Sequence, residues 1–488
     1  MSEQDPPVEP GSGSDVTPET GAGQVLPVNP TPIPTAAQAE ADAEAAGRGP
    51  KSHKAEGKGA HRDAKPTFGQ AFLKELWADN TFTVTLLAIV LAGVVAAVLM
   101  ILGDANTRQQ WTYFFYQPGT TLQATWDLLS VSFGNLFKGA IVDPDTFARW
   151  MYGMDGVTWQ RVFYPISETL TQAAPLIFTG LAVALPFRAG LFNIGGQGQA
   201  IMGALAGGTA GFALGWTSPF GWIAATIAGA LAGGLWGLIV GVLKARTGAH
   251  EVILTIMLNY VALYFMSWYI LQTFVKNPER SDAISKPIPA DSMYPKIFGP
   301  TAGDNGLRAN LAIVLAILAA WGISWLLKRG TFGFELRAVG YNPDAAKTAG
   351  MSVGATLALT MGLSGLLAGL GGTSIAVGTA GALTVDMLGS IGFNGILVAL
   401  LGRVKPWGVV AAGLLYGALQ AGGNKMQTGG VAVHADGTTV IVNGISNEIV
   451  SVIQALIVIF VAAPLLMRAI FALRRSPSAA ATVGLAKG

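Results

Sequence analysis

Residues 221–243 read GWIAATIAGALAGGLWGLIVGVL and contain no charged side chain. A helix of this length crosses the ~30 Å hydrocarbon core of a bilayer. Its glycines recur every fourth residue, at Gly229, Gly233, Gly237 and Gly241, and so lie along one helix face. In lipid, helices associate by close backbone approach across small residues. The stretch therefore predicts a transmembrane helix whose glycine stripe packs against a neighbouring helix.

Ten such apolar segments lie between Thr81 and Met467, and the chain is 51% hydrophobic and only 12% charged. Soluble domains hold about 25% charged residues, so this composition indicates an integral membrane protein. We predict an all-α membrane protein of about ten transmembrane helices. The predicted spans are 81–103, 167–187, 191–214, 221–243, 252–275, 309–327, 355–375, 387–402, 407–424 and 446–467. The apolar stretch in residues 376–402 is short and rich in glycine. A re-entrant pair of helices or a broken helix would also fit this region.

Lysine and arginine alternate between the two sides in the connections other than 104–166 and 276–308, which are long and mix charges of both signs. Arg188, Lys244 and Arg246, the 328–347 segment, and Arg403 with Lys405 all fall on one side. On the other side, the short connections 215–220 and 376–386 hold no lysine or arginine, and 425–445 holds only Lys425. Basic connections face the cytoplasm. We therefore expect a multi-pass protein of the plasma (inner) membrane with both termini in the cytoplasm.

The N-terminal segment differs from the rest in composition. Residues 1–46 carry eight acidic residues, no lysine or arginine, and many Pro, Gly, Thr and Ala. Such a segment buries too little apolar surface to offset the entropy lost on ordering. The predicted organisation is a disordered cytoplasmic tail (1–66), a transmembrane domain (67–475) and a short cytoplasmic C-terminal tail (476–488).

Several classes of site are excluded by residue content. The chain has no cysteine, its four histidines lack metal-ligand spacing, and it has no GxxxxGK[ST] phosphate loop. We therefore predict no metal site and no ATPase activity of its own. Among candidates for a membrane-embedded enzyme only Glu168 and Glu448 lie at span ends, and neither has an acid–base partner nearby in sequence. No catalytic residue is predicted.

The span interiors also lack the carboxylate, histidine or lysine that ion-driven carriers usually place in the membrane. If the chain moves a solute, the energy is then expected to come from elsewhere. An ion-coupled secondary carrier stays open as an alternative, because backbone carbonyls can hold Na⁺ without a carboxylate.

Six polar side chains stand out within or beside the spans, and we treat them as candidates for a translocation pathway. They are Asn193, Gln197, Gln199, Thr255, Asn259 and Asn394. The first three belong to FRAGLFNIGGQGQ (187–199), where amides accompany four glycines at or near membrane depth. A polar group buried in lipid needs a hydrogen-bond partner. Two interpretations stay open: these groups line a pathway, or they cap helix ends and fasten helices together.

The longest internal cytoplasmic loop contains a segment with the features of a short capped helix. Asn is a good N-cap, Pro suits the first helical position, Asp favours the positive end of the helix dipole, and Gly ends a helix in a left-handed cap. Ala345, Ala346 and Ala349 would give this helix a smooth side that docks into a groove on another protein. A plain connector is the alternative. The segment comprises Asn342, Pro343, Asp344, Ala345, Ala346, Lys347, Thr348, Ala349 and Gly350.

These segments together resemble a known family. Leu181–Gln199, Glu251–Asn259, Asn342–Gly350 and residues 392–402 (GFNGILVALLG) resemble the signature of permease subunits of ABC importers in the sugar, nucleoside and branched-chain amino acid class. The resemblance covers about 168–470 and looks closest to the nucleoside branch. The acidic tail and the long 104–166 segment depart from the family's usual pattern.

The resemblance implies a type II importer bundle and several partners. These are a cytoplasmic ABC ATPase with two nucleotide-binding modules, a second homologous permease and an extracellular substrate-binding lipoprotein. Residues 342–350 match the coupling helix that transmits ATPase closure to the spans. The chain itself would bind no cofactor, since ATP and Mg belong to the ATPase, and no nucleic acid. The implied cargo is a nucleoside or related uncharged solute, with ribose-type sugars and branched-chain amino acids left open.

Overall fold

A computed structural model of the chain describes residues 81–154, 156–299, 306–434 and 437–462. The predicted N-terminal tail (1–66), the C-terminal tail (476–488) and residues 463–467 of the tenth predicted span lie outside the described residues. The chain divides into two units, Met1–Thr67 and Phe68–Gly488. The described residues all belong to the second unit.

Most of the described chain is helical. The first helices in sequence are α1 (Thr81–Gly103), α2 (Ala105–Thr112), α3 (Pro118–Ala140), α4 (Pro144–Met151), α5 (Trp159–Phe187), α6 (Gly196–Ala213), α7 (Phe220–Thr247) and α8 (Glu251–Ile270). After a 3₁₀ turn (Ala290–Ser292) come α9 (Ala312–Arg329), α10 (Thr331–Tyr341), α11 (Pro343–Thr348) and α12 (Val353–Ile375). A π turn (Ala376–Ala380) precedes α13 (Ile391–Leu401), α14 (Pro406–Met426), strands β1 (Gly430–Val433) and β2 (Thr439–Val442), and α15 (Asn447–Ala462).

Five helices in the described ranges are long and apolar enough to cross a membrane. They are α5, α7, α8, α9 and α12, the last continuing through the π turn to Ala380. A sixth is reached if α1 and α2, which meet at an 82° bend, form one span. The remaining predicted spans coincide with α6, α13, α14 and α15, which are shorter or less apolar. The total of ten therefore stays a prediction.

The third predicted span starts too early. Residues 191–195 leave the helical path, and α6 begins only at Gly196. The Asn193 side chain accepts a hydrogen bond from the Gly195 N–H at 2.9 Å, which favours a turn over a continuing helix. Consecutive glycines at 195 and 196 lower helix propensity further. An irregular five-residue segment thus enters the bundle at this point.

The prediction of an all-α fold is wrong in the 425–445 connection, where β1 and β2 form an antiparallel hairpin with Gly430 opposite Val442. Both strands are short and rich in β-branched residues, which favour extended backbone. The hairpin packs against α3, and the Asn135 side chain donates to the Gly429 carbonyl at 2.8 Å. It extends the bundle at the end that also carries α3.

Helix α5 lies at the centre of the bundle. It packs against α9, α12, α13 and α14, and its residues from Ala173 to Pro186 are all buried. Phe178 and Leu181 are among the largest fully enclosed side chains in the described part of the chain. A second, smaller core joins α1, α3, the hairpin and α15 around Met100, Leu128 and Met426. Helix α5 therefore joins α9, α12, α13 and α14 into the larger core.

Helix α7 packs along α12 through the glycine stripe. A Cβ added at Gly233 would overlap the backbone of Gly365 and Gly369 on α12, and one at Gly241 would lie 2.6 Å from the Cα of Ala358. The facing glycines bring the two backbones into direct contact, which is the packing mode available to helices in lipid. All four stripe residues face α12: Gly229, Gly233, Gly237 and Gly241.

The connections gather at two opposite ends of the bundle. At one end, Ser285 N–H donates to the Leu383 carbonyl (3.0 Å) and Tyr294 N–H to the Val377 carbonyl (3.1 Å). At the other end, the Arg188 guanidinium donates to the Val404 carbonyl (3.0 Å). Segments that the charge pattern places on one side of a membrane thus contact one another. Which end faces the cytoplasm stays a prediction.

Candidate translocation site and coupling helix

Asn193 lies in the irregular segment before α6, and its side chain bonds to three groups. Its Nδ2 donates to Gln199 Oε1 at 2.9 Å and to Ser364 Oγ at 2.7 Å, while its Oδ1 accepts from Gly195 N–H. Ser364 on α12 in turn donates to the Ala182 carbonyl of α5. Asn193 and Gln199 are each only 1% exposed. The turn is therefore tied to α5, α6 and α12 by buried hydrogen bonds.

Asn259 on α8 fastens the same turn from the other side. Its Oδ1 accepts from Gly198 N–H at 2.8 Å, and its Nδ2 donates to the Ile194 carbonyl at 3.0 Å. Thr255, one turn earlier on α8, is fully buried, and its side chain lies close to Gly195. Its hydroxyl donates to the Val252 carbonyl of its own helix at 3.0 Å. Asn259 thus satisfies two main-chain groups that the broken helix leaves unpaired.

Gln197 and Asn394 are the two candidates that keep partial exposure. Gln197 Nε2 donates to the Gly389 carbonyl at 2.8 Å, and its Oε1 accepts from Gly392 N–H at 2.8 Å, which ties α6 to the start of α13. The Tyr416 hydroxyl of α14 donates to Asn394 Oδ1 at 3.3 Å. We call Asn193, Gln197, Gln199 and Asn259 the amide network.

The amide network holds together the segment where helical continuity is lost. In this conformation its side chains bond to the 191–195 segment, to α6 and α12, and to the start of α13 rather than to an open lumen. This geometry is that of helix fastening, the second interpretation left open by the sequence. A pathway role for the same residues stays a prediction, and it requires another conformation for the buried ones.

Glu168 has a charged partner that is distant in sequence and was not predicted. Arg308, just before α9, places Nη1 3.2 and 3.1 Å from the two carboxylate oxygens of Glu168, and Gln172 donates to that carboxylate at 2.9 Å. Arg308 lies outside the helices of the described chain, so no periodicity marks it. The pair lines a cleft of about 560 Å³ between α3, α5 and α14, in which four cations outnumber two carboxylates. The cleft lies at the predicted outer end.

The rim of this outer cleft carries a second charge cluster. Lys138 on α3 donates a hydrogen bond to Asp145 at 2.6 Å. This hydrogen bond and the negative charges of Asp143 and Asp145 raise the pKa of the Lys138 ammonium. Burial alone would raise the pKa of Asp143. The Thr146 hydroxyl at 2.7 Å and the Lys138 charge outweigh burial and hold that pKa below its usual range. Lys138 and Asp143 are therefore both charged at neutral pH.

Helix α11 has the geometry that its sequence predicts. Asn342 Oδ1 accepts from the N–H groups of Asp344 and Ala345, each at 3.0 Å. Pro343 is the first helical residue, and Gly350 follows the helix in the left-handed region at φ +83°. The helix packs against α10 and α12 and is exposed on its other faces.

The predicted smooth side of α11 needs one correction. Ala346 is only 4% exposed, so it faces the bundle rather than a partner. Its carbonyl accepts from Met351 N–H at 3.0 Å, in a turn that folds the chain back beneath the helix. Ala345 and Ala349 are exposed together with Tyr341, which is 92% exposed. Of the predicted alanine side, only Ala345 and Ala349 are therefore available to a partner.

The model of the family described as "Branched-chain amino acid transport system / permease component" matches residues 166–462, more than half of the chain. The chain belongs to this family. The match covers α5 to α15 and therefore the amide network and α11. The family and the apolar helices make the protein a multi-pass permease of the plasma membrane.

Individual relatives agree with this assignment. The guanosine ABC transporter permease protein NupP of Bacillus subtilis is 36% identical over 319 residues, which cover 64% of this chain and 85% of the relative. The nucleoside ABC transporter permease protein NupB of Lactococcus lactis is 35% identical over 61% of this chain and 79% of the relative. The glucose ABC transporter permease protein TsgB13 of Haloferax volcanii is 31% identical over 63% and 79%.

The predicted resemblance to ABC permeases of the nucleoside branch is confirmed by these matches. No solved structure matches the chain. The matched range starts at residue 166, so the family match does not extend to α1–α4, of which α3 and α4 line the outer cleft together with α5 and α14.

Proposed function

We propose that the permease forms part of the membrane pathway of an ATP-driven importer for nucleosides. Two of the relatives above are named guanosine and nucleoside permeases, which supports this cargo class. The proposed complex contains a cytoplasmic ABC ATPase with two nucleotide-binding modules, a second homologous permease and an extracellular substrate-binding lipoprotein. ATP and Mg are bound by the ATPase. The permease has ten spans and both termini in the cytoplasm.

The observation that carries this proposal is the path from α11 to the amide network. Helix α11 rests on α10 and α12, so a displacement of α11 moves the start of α12. Ser364 on α12 bonds to Asn193, and Asn193 bonds to Gln199. An ATPase that pulls on α11 thereby acts on the irregular segment before α6. Alternating access follows if this segment changes its partners between two states.

Transport by the reconstituted complex tests the proposal. The permease, co-purified with its partners, is placed in liposomes with the binding protein outside and ATP inside. We expect labelled guanosine to accumulate only with hydrolysable ATP and the binding protein, and excess unlabelled guanosine to compete. Accumulation by the permease alone, driven by a proton or sodium gradient, contradicts the proposal.

Glucose is the matched competitor, since one relative is named a glucose permease. A neutral nucleoside and a neutral sugar both suit a bundle without an ion relay. We expect glucose in excess to leave guanosine uptake unchanged. ATP-dependent uptake of glucose without guanosine uptake would support an ATP-driven importer and contradict the nucleoside cargo.

A further inference from the structure

A second cleft opens at the end of the bundle that carries α11. It has a volume of about 380 Å³ and lies between the end of α9 and the start of α14, with Arg337 of α10 beside it. Four cations line it, and none of its nine lining residues is Asp or Glu: the cations are Arg188, Lys328, Arg337 and Lys405. We call it the basic cleft. It is separate from the amide network and from the exposed face of α11.

The cations of the basic cleft lack carboxylate partners. Among the ion pairs of the described residues, none includes Lys328, Arg337 or Lys405. Arg188 donates through Nε and Nη2 to the Val404 carbonyl, at 3.2 and 3.0 Å. Like charges around a concave surface focus a positive potential into it. An anion that enters the cleft reduces the repulsion between these cations.

The backbone of the cleft adds hydrogen-bond donors. Helix α14 starts at Pro406, and its N-cap residue Lys405 provides no side-chain cap. The N–H groups of Trp407 and Gly408, in the first turn, therefore have no acceptor within the helix. Guanidinium, ammonium and main-chain N–H groups are together the donors that bind phosphate oxygens.

Exposed tryptophans on α9 and α14 identify the source of the anion. Trp407 lines the cleft and is half exposed, and Trp321 and Trp325, outside the cleft lining, are exposed one turn apart on α9. Exposed tryptophans are typical of the membrane–water interface, where the ring lies at headgroup level. Basic pockets between transmembrane helices bind phospholipid headgroups. The cleft thus combines phosphate donors with a surface suited to acyl chains.

We propose that the basic cleft binds the phosphate of an anionic phospholipid headgroup, with the acyl chains against Trp407 and the tryptophans of α9. The site does not depend on the transported solute. Because Arg188 also holds the left-handed Arg403–Val404 turn (φ 54° and 56°), the bound lipid stabilises the junction of α13 and α14.

The test uses the full-length chain in a neutral detergent and measures lipid binding by native mass spectrometry. Dioctanoyl phosphatidylglycerol is titrated against dioctanoyl phosphatidylcholine. The double variant Arg337→Gln/Lys405→Gln removes two charges from the cleft. The control Arg246→Gln/Arg329→Gln removes two exposed charges outside it. We expect at least tenfold weaker phosphatidylglycerol binding for the cleft variant and less than a twofold change for the control. Thermal unfolding of both variants checks that they fold.

Equal losses in both double variants, or no loss in either, would overturn the proposal. Inorganic phosphate serves as the soluble probe, and we expect millimolar phosphate not to displace phosphatidylglycerol. Displacement at a phosphate affinity similar to that of the lipid would assign the cleft to a soluble anion instead. If the cleft variant binds phosphatidylglycerol normally but no longer supports ATP hydrolysis by its partner, the cleft is a protein contact and the lipid assignment fails.

Discussion

Asn259 reaches two main-chain groups that have no helical partner, the N–H of Gly198 and the carbonyl of Ile194. In a bilayer each unsatisfied polar group is costly, so an interrupted helix needs side chains that supply the missing bonds. The amide network performs this role around residues 191–199. Its polarity is therefore explained by the local backbone, before any solute is considered.

Asn259→Leu should destabilise the permease by about 2 kcal/mol, because it leaves those two buried groups without a partner. Thermal unfolding in detergent measures the change. Thr255→Val on the same helix is the control, since the Thr255 hydroxyl bonds only within its own helix. Equal midpoints for Asn259→Leu and the native chain would show that the turn does not depend on Asn259.

Glu168 and Arg308 give a second prediction for single residues. Arg308→Gln leaves the carboxylate, whose side chain is 10% exposed, without its cation, and should cost about 1 to 2 kcal/mol because Arg308 is itself 43% exposed. The double variant Glu168→Gln/Arg308→Gln should recover part of the loss in the same unfolding assay. If the loss of stability in the double variant equals the sum of the losses in Glu168→Gln and Arg308→Gln, the two side chains do not interact.

Among elements, the contact of α7 with α12 shows what the sequence predicts well. A four-residue glycine spacing shows which face of a helix packs, since the helical period is local. It does not show which helix lies opposite. That α12 presents Gly365 and Gly369 to α7 depends on the path of the intervening helices, which no local pattern encodes.

Gly233→Ala should lower the stability of the permease by about 1 to 3 kcal/mol, because the added Cβ overlaps the α12 backbone. Gly322→Ala on α9 is the matched control, since no atom lies within 4 Å of its added Cβ. Alanine is the better helix former, so this control should be neutral or slightly stabilising. A similar effect of both substitutions on the unfolding midpoint would contradict the close packing of α7 on α12.

The exposed side of α11 permits a test of its coupling role. Ala345→Arg should abolish ATP-driven uptake while the protein still inserts and folds, because a long cation would occupy the proposed docking surface. Ala345→Ser, which keeps the side chain small, should retain uptake. Uptake and ATP hydrolysis are measured together in liposomes. Normal uptake by Ala345→Arg would exclude docking through this face.

The short elements differ in how far sequence predicts them. The α11 segment was predictable because Asn342, Pro343 and Gly350 act within two turns of helix. The hairpin after α14 was not, since two four-residue strands give too little alternation to distinguish them from a loop. Ala346 shows the same limit, because its burial depends on how α11 rests on α10 and α12 rather than on its neighbours in sequence.

For the whole molecule, the two groups of connections at opposite ends agree with the alternation of lysine and arginine along the chain. The individual contacts between connections were not predictable from sequence. The side on which each connection lies was predictable, because the lysine and arginine content of a loop depends on the side of the membrane that it faces. The absolute orientation is accessible to labelling, since the chain has no cysteine and a single introduced thiol has no background.

Thr217→Cys, in the exposed connection between α6 and α7, should react with a membrane-impermeant maleimide on intact cells. Lys347→Cys on α11 should react only after the cells are permeabilised. Uptake by both variants verifies that the chain is correctly inserted. The reverse labelling pattern would invert the topology and remove α11 from the reach of a cytoplasmic ATPase.

The backbone contact between α7 and α12 also limits how the permease can move. Two helices in contact through glycines have no flexible side chains between them. If one helix slid along the other, the Cα atoms of one would clash with the carbonyl oxygens of the other. We therefore expect helices α7 and α12 to move as one rigid body, with bending confined to non-helical connections elsewhere in the bundle. The left-handed Arg403–Val404 turn and the non-helical residues 191–195 are two such connections.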